Sequence, residues 1–310
     1  MSSQPILFLV FNRPDTTKEV LNRIREVQPY KLYIAADGPR KGYLSDFIKC
    51  QKTREICMQV DWECDVKTLF REENLGCRQA VSTAIDWFFE QEDSGIILED
   101  DCLPSNSFFT FCDVLLKRYK DHEDIMSITG NNFQPHRRTD YDYYFSRYMH
   151  CWGWATWERA WEKYDWDMKN WKQAKEKNLV NKVFQKKRQQ QYWFDILEQV
   201  SNGKIDSWAY VWTYSIWLNN GINIIPEENL VSNIGFSSDA THTIDDEDHA
   251  AKLPTTELQF PLRHPPKIKT HKKADEYSQL HHFHPNIPIR AFRKLKKVSL
   301  RIFKTVFSKS

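Results

Sequence analysis

Glycine is scarce, nine among 310 residues, and none falls into a Walker or GxGxxG pattern. A phosphate loop of that kind needs glycines to bring backbone N–H groups against the ligand, so it is excluded here. Cysteine offers no framework either. The seven cysteines are an odd number, with no CxxC pair and no Cys/His group at zinc spacing, a usage expected of a reducing cytoplasm. No uninterrupted apolar run reaches the roughly 18 residues of a membrane-spanning helix. The opening MSSQPILFLVFNRPD lacks a basic n-region, and its apolar run stops at Asn12 and Arg13. A first strand is expected there, not a signal peptide.

What is present has a globular balance, 41% hydrophobic and 28% charged, in a chain long enough for a large core. One large domain plus an extension fits the length. The net charge of +2 hides an asymmetry: residues 285–310 carry eight Lys or Arg and no Asp or Glu, which leaves −6 on the remainder. A mildly acidic body argues against nucleic acid as its partner.

Strand-like and helix-like stretches alternate at the start of the chain. ILFLVF, KLYIAA, DVKTLFRE and SGIILE read as strands; DTTKEVLNRIREV, FIKCQKTREICMQV and CRQAVSTAIDWFFEQ read as helices, the first with its cap at Asp15 or Thr16. This alternation predicts a parallel α/β sheet, whose ligands bind at the carboxyl ends of the strands. Asp37, Arg71 and the run Glu99-Asp100-Asp101 fall at those ends. Farther on, DIMSITGNN reads as a strand, NKVFQKKRQQQYWFDILEQV and DSWAYVWTYSIWLNNG as helices, and INIIPEENLVSNIGF as late strand and loop. After Thr243 the sequence is polar and without period until about Ile289. The expected organisation is therefore a domain over 1–245, a polar linker region over 246–288 and a helix over 289–310.

Glu99, Asp100 and Asp101 crowd three negative charges at the end of a strand expected to be buried, and charges so close raise one another's pKa. Either the strand ends in a solvated turn, or the carboxylates hold a cation. Pro104 and Ser105 start a helix at once, and hard divalent cations take carboxylate oxygens while keeping room for substrate phosphates. Mn²⁺ or Mg²⁺ suits the second reading.

In this order, VFNRPDTTKEVLNRI, AADGPR, REENLGCRQAV, GIILEDDCLPSNSFFTFC and CWGWATWERAW resemble a GT-A-fold glycosyltransferase of the bacterial surface-polysaccharide type. Glu-Asp-Asp followed by Pro-x-x-x-Phe-Phe is also similar to eukaryotic protein-glycan N-acetylglucosaminyltransferases. The resemblance implies a Rossmann-like, mostly parallel sheet flanked by helices. It implies a metal on Glu99, Asp101 and His242, with Asp101 the direct ligand and Asp100 shared between metal and sugar. It further implies that Asp37 meets a uracil-type base, Arg13 the nucleotide or diphosphate, and Arg71, Asn74, Gly76 and Arg78 the nucleotide. Trp152, Gly153 and Trp154 would line the donor sugar, and Asp206 would be the catalytic base.

The residues taken alone also allow plainer roles. Asp37 reads as a turn residue before Gly-Pro, Arg13 as a surface arginine, residues 71–78 as a turn and helix cap, and Asp206 as an N-cap. Trp157 and Trp161 read as packing, Cys102 as a small buried residue, DDEDH at 245–249 as a solvated loop, and HHFH at 281–284 as exposed histidines.

In the tail, Phe292, Leu295, Val298, Ile302, Phe303, Val306 and Phe307 share one helical face, and Arg290, Arg293, Lys294, Lys297, Arg301 and Lys304 the other. An interfacial helix on an anionic membrane has this pattern; packing on the acidic body, or a calmodulin-like partner, are the alternatives. The expectation is a cytoplasmic enzyme, peripheral at the inner face of the cell membrane. It would move a sugar from a nucleotide-diphosphate donor, UDP-sugar favoured, to a saccharide or lipid-linked saccharide acceptor with inversion. One rival is a sugar-phosphate nucleotidylyltransferase, which needs a Gly-rich loop where FNRPDTTKEV has no glycine. The other is a carbohydrate-binding module, which leaves the acids at the strand end without a purpose.

Overall fold

In the computed structural model, which describes residues 3–235 and 253–283, the chain opens with strict alternation. The elements are β1 (Ile6–Val10), α1 (Pro14–Val27), β2 (Lys31–Ala36), α2 (Leu44–Cys57), β3 (Asp65–Phe70), α3 (Cys77–Phe89) and β4 (Ser94–Glu99). The four strands are parallel in the order β3-β2-β1-β4, with Phe8 level with Ile34 on one side and Leu98 on the other. All of β1 is buried, as expected of a parallel strand covered on both faces. α1 begins at Pro14, whose fixed φ suits a first turn that needs no donor. Its buried residues Thr17, Val20, Leu21 and Ile24 recur at helical spacing. The cap expected at Asp15 or Thr16 is instead Arg13, and Thr17 Oγ1 donates to the Arg13 carbonyl at 2.7 Å.

β5 (Cys102–Pro104) leads into α4 (Asn106–Arg118), followed by β6 (Ile125–Thr129), β7 (Tyr143–Ser146) and β8 (Trp154–Trp157). Next come α5 (Glu158–Trp161), α6 (Trp171–Glu176), α7 (Leu179–Val183), α8 (Lys187–Ser201) and α9 (Trp208–Leu218), then β9 (Ile222–Pro226) and β10 (Val231–Asn233). The sheet continues β4-β8-β6-β9-β7, with β8 antiparallel to both neighbours, β6 parallel to β9, and β7 antiparallel at the edge. A mostly parallel sheet flanked by helices is thus the fold.

One face of the sheet packs against Val20 and Leu21 of α1 and Phe108 and Leu115 of α4. The other carries Phe88 of α3 and a tryptophan layer that includes Trp154, Trp193 and Trp212. Each large side chain fully buried this way contributes about 1.5–3 kcal/mol, so the aromatic density of the middle region is chiefly core. Trp157 and Trp161 belong to it, their ring N–H groups donating to Leu116 O at 3.1 Å and Asp86 Oδ1 at 2.7 Å.

The stretch expected as a linker is, where described, part of the fold. Thr270 bridges to Phe145, α10 (Lys272–Ser278) follows, and Gln279–Phe283 forms a π-helical turn. Glu257 accepts from the N–H groups of Asn106 at 3.0 Å and Ser107 at 2.7 Å, satisfying orphan donors at the start of α4. Hydrophobic periodicity misses this region because what it buries is largely polar: Asp275, Ser278 and Gln279. The described histidines of HHFH are not free in solvent. His281 stacks on Tyr277 and His282 on Phe133, at centroid distances of 4.1 and 3.8 Å. His242 and the expected helix over 289–310 lie outside the described residues.

Candidate active site

Three neighbouring parallel strands, β2, β1 and β4, end at one edge of the sheet, and most of the residues singled out above hang from their ends. β4 finishes at Glu99, the chain turns through Asp100 and Asp101, and β5 begins at Cys102. Asp100 Oδ2 accepts from the backbone N–H of Phe11, the residue after β1, at 3.0 Å. Arg13 Nη1 lies 3.6 Å from Asp100 Oδ1 and is bonded more closely to Asp101 Oδ2. An arginine thus stands against the acidic strand end. Burial, followed by the charges of Asp101 and Asp100, raises the Glu99 carboxyl above its ordinary value. Burial also raises Asp100, against the pull of Arg13. For Arg13, burial acts to lower the pKa, but the charges of Asp100, Asp101 and Glu99 together raise it.

These observations decide how a divalent ion fits. Among the described residues no three His, Cys, Asp or Glu converge to hold a metal, and Arg13 already bonds the Asp101 oxygen that the sequence assigns to the ion. The expected set of Glu99, Asp101 and His242 is thus not completed by the described residues.

Asp37 follows β2, and its buried carboxylate accepts from Gly38 N at 2.9 Å, Leu75 N at 3.0 Å and Asn74 Nδ2 at 2.8 Å. Burial raises its pKa, opposed by these N–H bonds and by the charge of Arg71. As found, Asp37 and Asn74 tie the end of β2 to the loop before α3. Gly38 permits that approach, since a Cβ there would stand 2.4 Å from the Glu73 backbone. Arg71 donates to Ala80 O at 3.2 Å and Thr83 Oγ1 at 2.7 Å. Arg78 donates to the Val200 and Trp166 carbonyls and lies over the Trp166 ring. Both guanidinium groups are committed to holding α3, which departs from the expected contact with a nucleotide.

Trp154 is also a correction. It is fully buried and stacked on Trp208 at 5.4 Å, so it packs the core and cannot present a face to a sugar. Trp152 is half-buried, with its backbone N–H on Asn131 Oδ1 at 3.2 Å and its ring edge-on to Phe133. Gly153 has φ +61°, and a Cβ there would stand 2.8 Å from Val231, so only glycine fits.

Asp206 is exposed and is not the cap of α9. That position belongs to Ser207, whose hydroxyl accepts from Tyr210 N. The Asp206 carboxylate instead lies against Gly76, with Oδ2 3.2 Å from where a Cβ on that residue would be. Gly76 has φ +80° and ψ 164° and caps α3, a backbone conformation open essentially to glycine alone.

Cys77, which sequence reasoning passed over, directly follows Gly76 and opens α3. Burial pushes this thiol up to about 12, and the charges that bear on it next are Glu99, Asp206, Asp37 and Arg13. Cys77 stays protonated, as does Cys151, raised by burial and then by Glu99, and neither is an activated nucleophile. Asn131 was also missed; its buried Nδ2 has no partner among the described residues.

No family model matches the chain, and no curated protein matches it. Solved structures with a loose likeness include HddC from Yersinia pseudotuberculosis, at TM-score 0.32 and 9% identity over 52% of this chain and 80% of that one. The same protein complexed with GMP-PN gives 0.34 and 10% over 52% and 80%. A 4-diphosphocytidyl-2C-methyl-D-erythritol synthase from Anaerococcus prevotii DSM 20548 gives 0.34 and 7% over 53% and 77%. A likeness this loose does not bear on activity.

Proposed function

We propose that the chain is an inverting glycosyltransferase, moving a sugar from a nucleoside-diphosphate donor to a hydroxyl of a saccharide or lipid-linked saccharide. The observation that supports this most is the position of Asp206: exposed, free of the capping role, and set against Gly76 in the loop that Asp37 and Asn74 tie to the end of β2. In this reading the acceptor oxygen attacks the anomeric carbon as Asp206 takes its proton, the C–O bond to the diphosphate breaks, and the configuration inverts. A carboxylate is too weak a base to deprotonate the hydroxyl beforehand, so transfer of the proton accompanies bond formation. Arg13 lies where it can compensate the charge that develops on the departing diphosphate. The loop tied by Asp37 and Asn74 forms the wall for the base, uridine by preference, and Trp152 and Gly153 border the sugar. No step is assigned to Mn²⁺ or Mg²⁺.

The competing reading is a sugar-phosphate nucleotidylyltransferase. Against it stands Phe11-Asn12-Arg13-Pro14 after β1, a stretch with no glycine to admit a triphosphate onto backbone N–H groups.

Asp206→Asn tests the assignment. It should lower single-turnover transfer by at least about a hundredfold and leave nucleotide binding and melting temperature nearly unchanged, because Ser207 caps the helix. Ser207→Ala should do the reverse, costing about 1 kcal/mol of stability at near-normal transfer. Near wild-type transfer by Asp206→Asn would move the base elsewhere. Incorporation of nucleoside monophosphate into a sugar phosphate would establish the competing reading.

A further inference from the structure

Outside the candidate site, an apolar face lies exposed on α2. Among the described residues ten large hydrophobic side chains are exposed, and five of them lie between Tyr43 and Met58. The four most exposed are Leu44 at 77%, Ile48 at 59%, Phe47 at 58% and Tyr43 at 57%, grouped at the start of one helix at i, i+3 and i+4 spacing. They are not the residues by which α2 joins the core, which are Asp46, Cys50, Thr53, Ile56 and Cys57. A depression of about 540 Å³ extends the apolar surface past Phe47 to Met58 and Phe70.

The segment that carries this face is basic, while Arg54, Glu55 and Glu72 line the depression beside it. Residues 39–58 hold Arg40, Lys41, Lys49, Lys52 and Arg54 against Asp46 and Glu55. Asp46 is buried and bonded by Arg40 and by Asn12 Nδ2. The segment therefore carries +3 within a body that is −6 without its tail. Soluble proteins rarely leave a contiguous apolar patch on a basic segment without using it.

We propose that this face of α2 docks on an anionic bilayer, with Tyr43, Leu44, Phe47 and Ile48 entering the headgroup boundary and Lys41 and Lys52 meeting lipid phosphates. Charge selects this occupant. The chain's own tail is strongly basic and is repelled by the same segment, and a second copy would set two basic segments against each other. Asn12, bonded to Asp46 at 2.9 Å, is the neighbour of Arg13, so α2 adjoins the loop after β1. The docking surface stands without the transferase reading; only its use, presenting a lipid-linked acceptor, rests on it.

The test sediments full-length protein with phosphatidylcholine vesicles, with and without phosphatidylglycerol. Wild type should bind the anionic vesicles. Leu44→Glu/Phe47→Glu should lower partitioning by about tenfold or more at any salt concentration. Lys41→Glu/Lys52→Glu should lower it at low salt and lose its effect at high salt. Melting temperature and UDP binding should be unchanged in both, since the altered side chains are on the surface. Equal sedimentation of wild type and Leu44→Glu/Phe47→Glu overturns the proposal, as does wild type that ignores phosphatidylglycerol. Dissociation of a dimer by the apolar substitutions with vesicle binding intact also overturns it, in favour of self-association. Vesicle binding that the substitutions abolish in a protein unable to bind any nucleoside diphosphate supports the surface and sinks the transferase reading.

Discussion

Arg13 reaches two carboxylates from the loop after β1, and the charge it neutralises sits at a buried strand end. Removing one partner of such a cluster strands the other, at about 3 kcal/mol. Arg13→Ala should therefore melt below wild type at neutral pH, and the gap should narrow in acid as the carboxylates take up protons. Mn²⁺ should recover part of the loss in the variant by replacing the missing cation. Thermal melts at two pH values, with and without Mn²⁺, read this; a pH-independent gap would mean that Arg13 acts through packing alone. The sign for Glu99 is opposite to that of an ordinary salt-bridged acid. Its pKa is raised on folding, so it stabilises fully below its unfolded value of about 4.5 and loses that contribution as pH rises through the folded value. The stability of wild type relative to Glu99→Gln should accordingly fall as pH rises from acid toward neutral, as denaturant midpoints will show.

Between elements, the decisive meeting is that of the start of α3 with the approach to α9. Gly76 caps one helix and Ser207 the other, and Asp206 lies between them. An alanine at position 76 would be strained by its φ of +80° and would press its methyl against the Asp206 carboxylate. Gly76→Ala should cost about 1–3 kcal/mol and reduce kcat more than donor affinity, because the displaced group is the proposed base. Steady-state kinetics with calorimetric nucleotide binding separates the two effects. A drop in affinity with kcat intact would place the role of Gly76 in the nucleotide wall instead.

Across the whole molecule, residues 253–283 return to the sheet through polar contacts instead of an apolar stripe. Asp275 accepts from Ser146 Oγ at 2.6 Å and from Arg147 Nε at 3.0 Å, while Gln279 accepts from Tyr148 Oη and Trp193 Nε1, both at 2.7 Å. Asp275→Ala leaves Arg147 Nε without its acceptor, only the Val183 carbonyl remaining for the guanidinium, and should destabilise the fold by about 3 kcal/mol or more; Asp275→Asn, which keeps an acceptor for Ser146, should fall between. Urea midpoints would show it. Two wild-type-like curves would mean that this region rests on the sheet without stabilising it.

The sequence by itself determined the alternation of buried strands with amphipathic helices, and with it the edge where strand ends gather Glu99, Asp100, Asp101 and Asp37. Such periodicity is a local property, legible because a strand or helix must turn its apolar residues to one core. Asp206 was legible as a residue before a buried helix, though not as one relieved of capping by Ser207. The tertiary structure decided what crosses between distant segments. Arg13 pairs with Asp101, 88 residues away; Trp154 is core while Trp152, two positions earlier, is half-buried against Phe133; and the stretch expected as a linker holds the start of α4 through Glu257. Ion pairs and buried polar contacts of this kind join residues far apart in the chain and leave no periodic trace in either segment, so only the packed fold could bring them together.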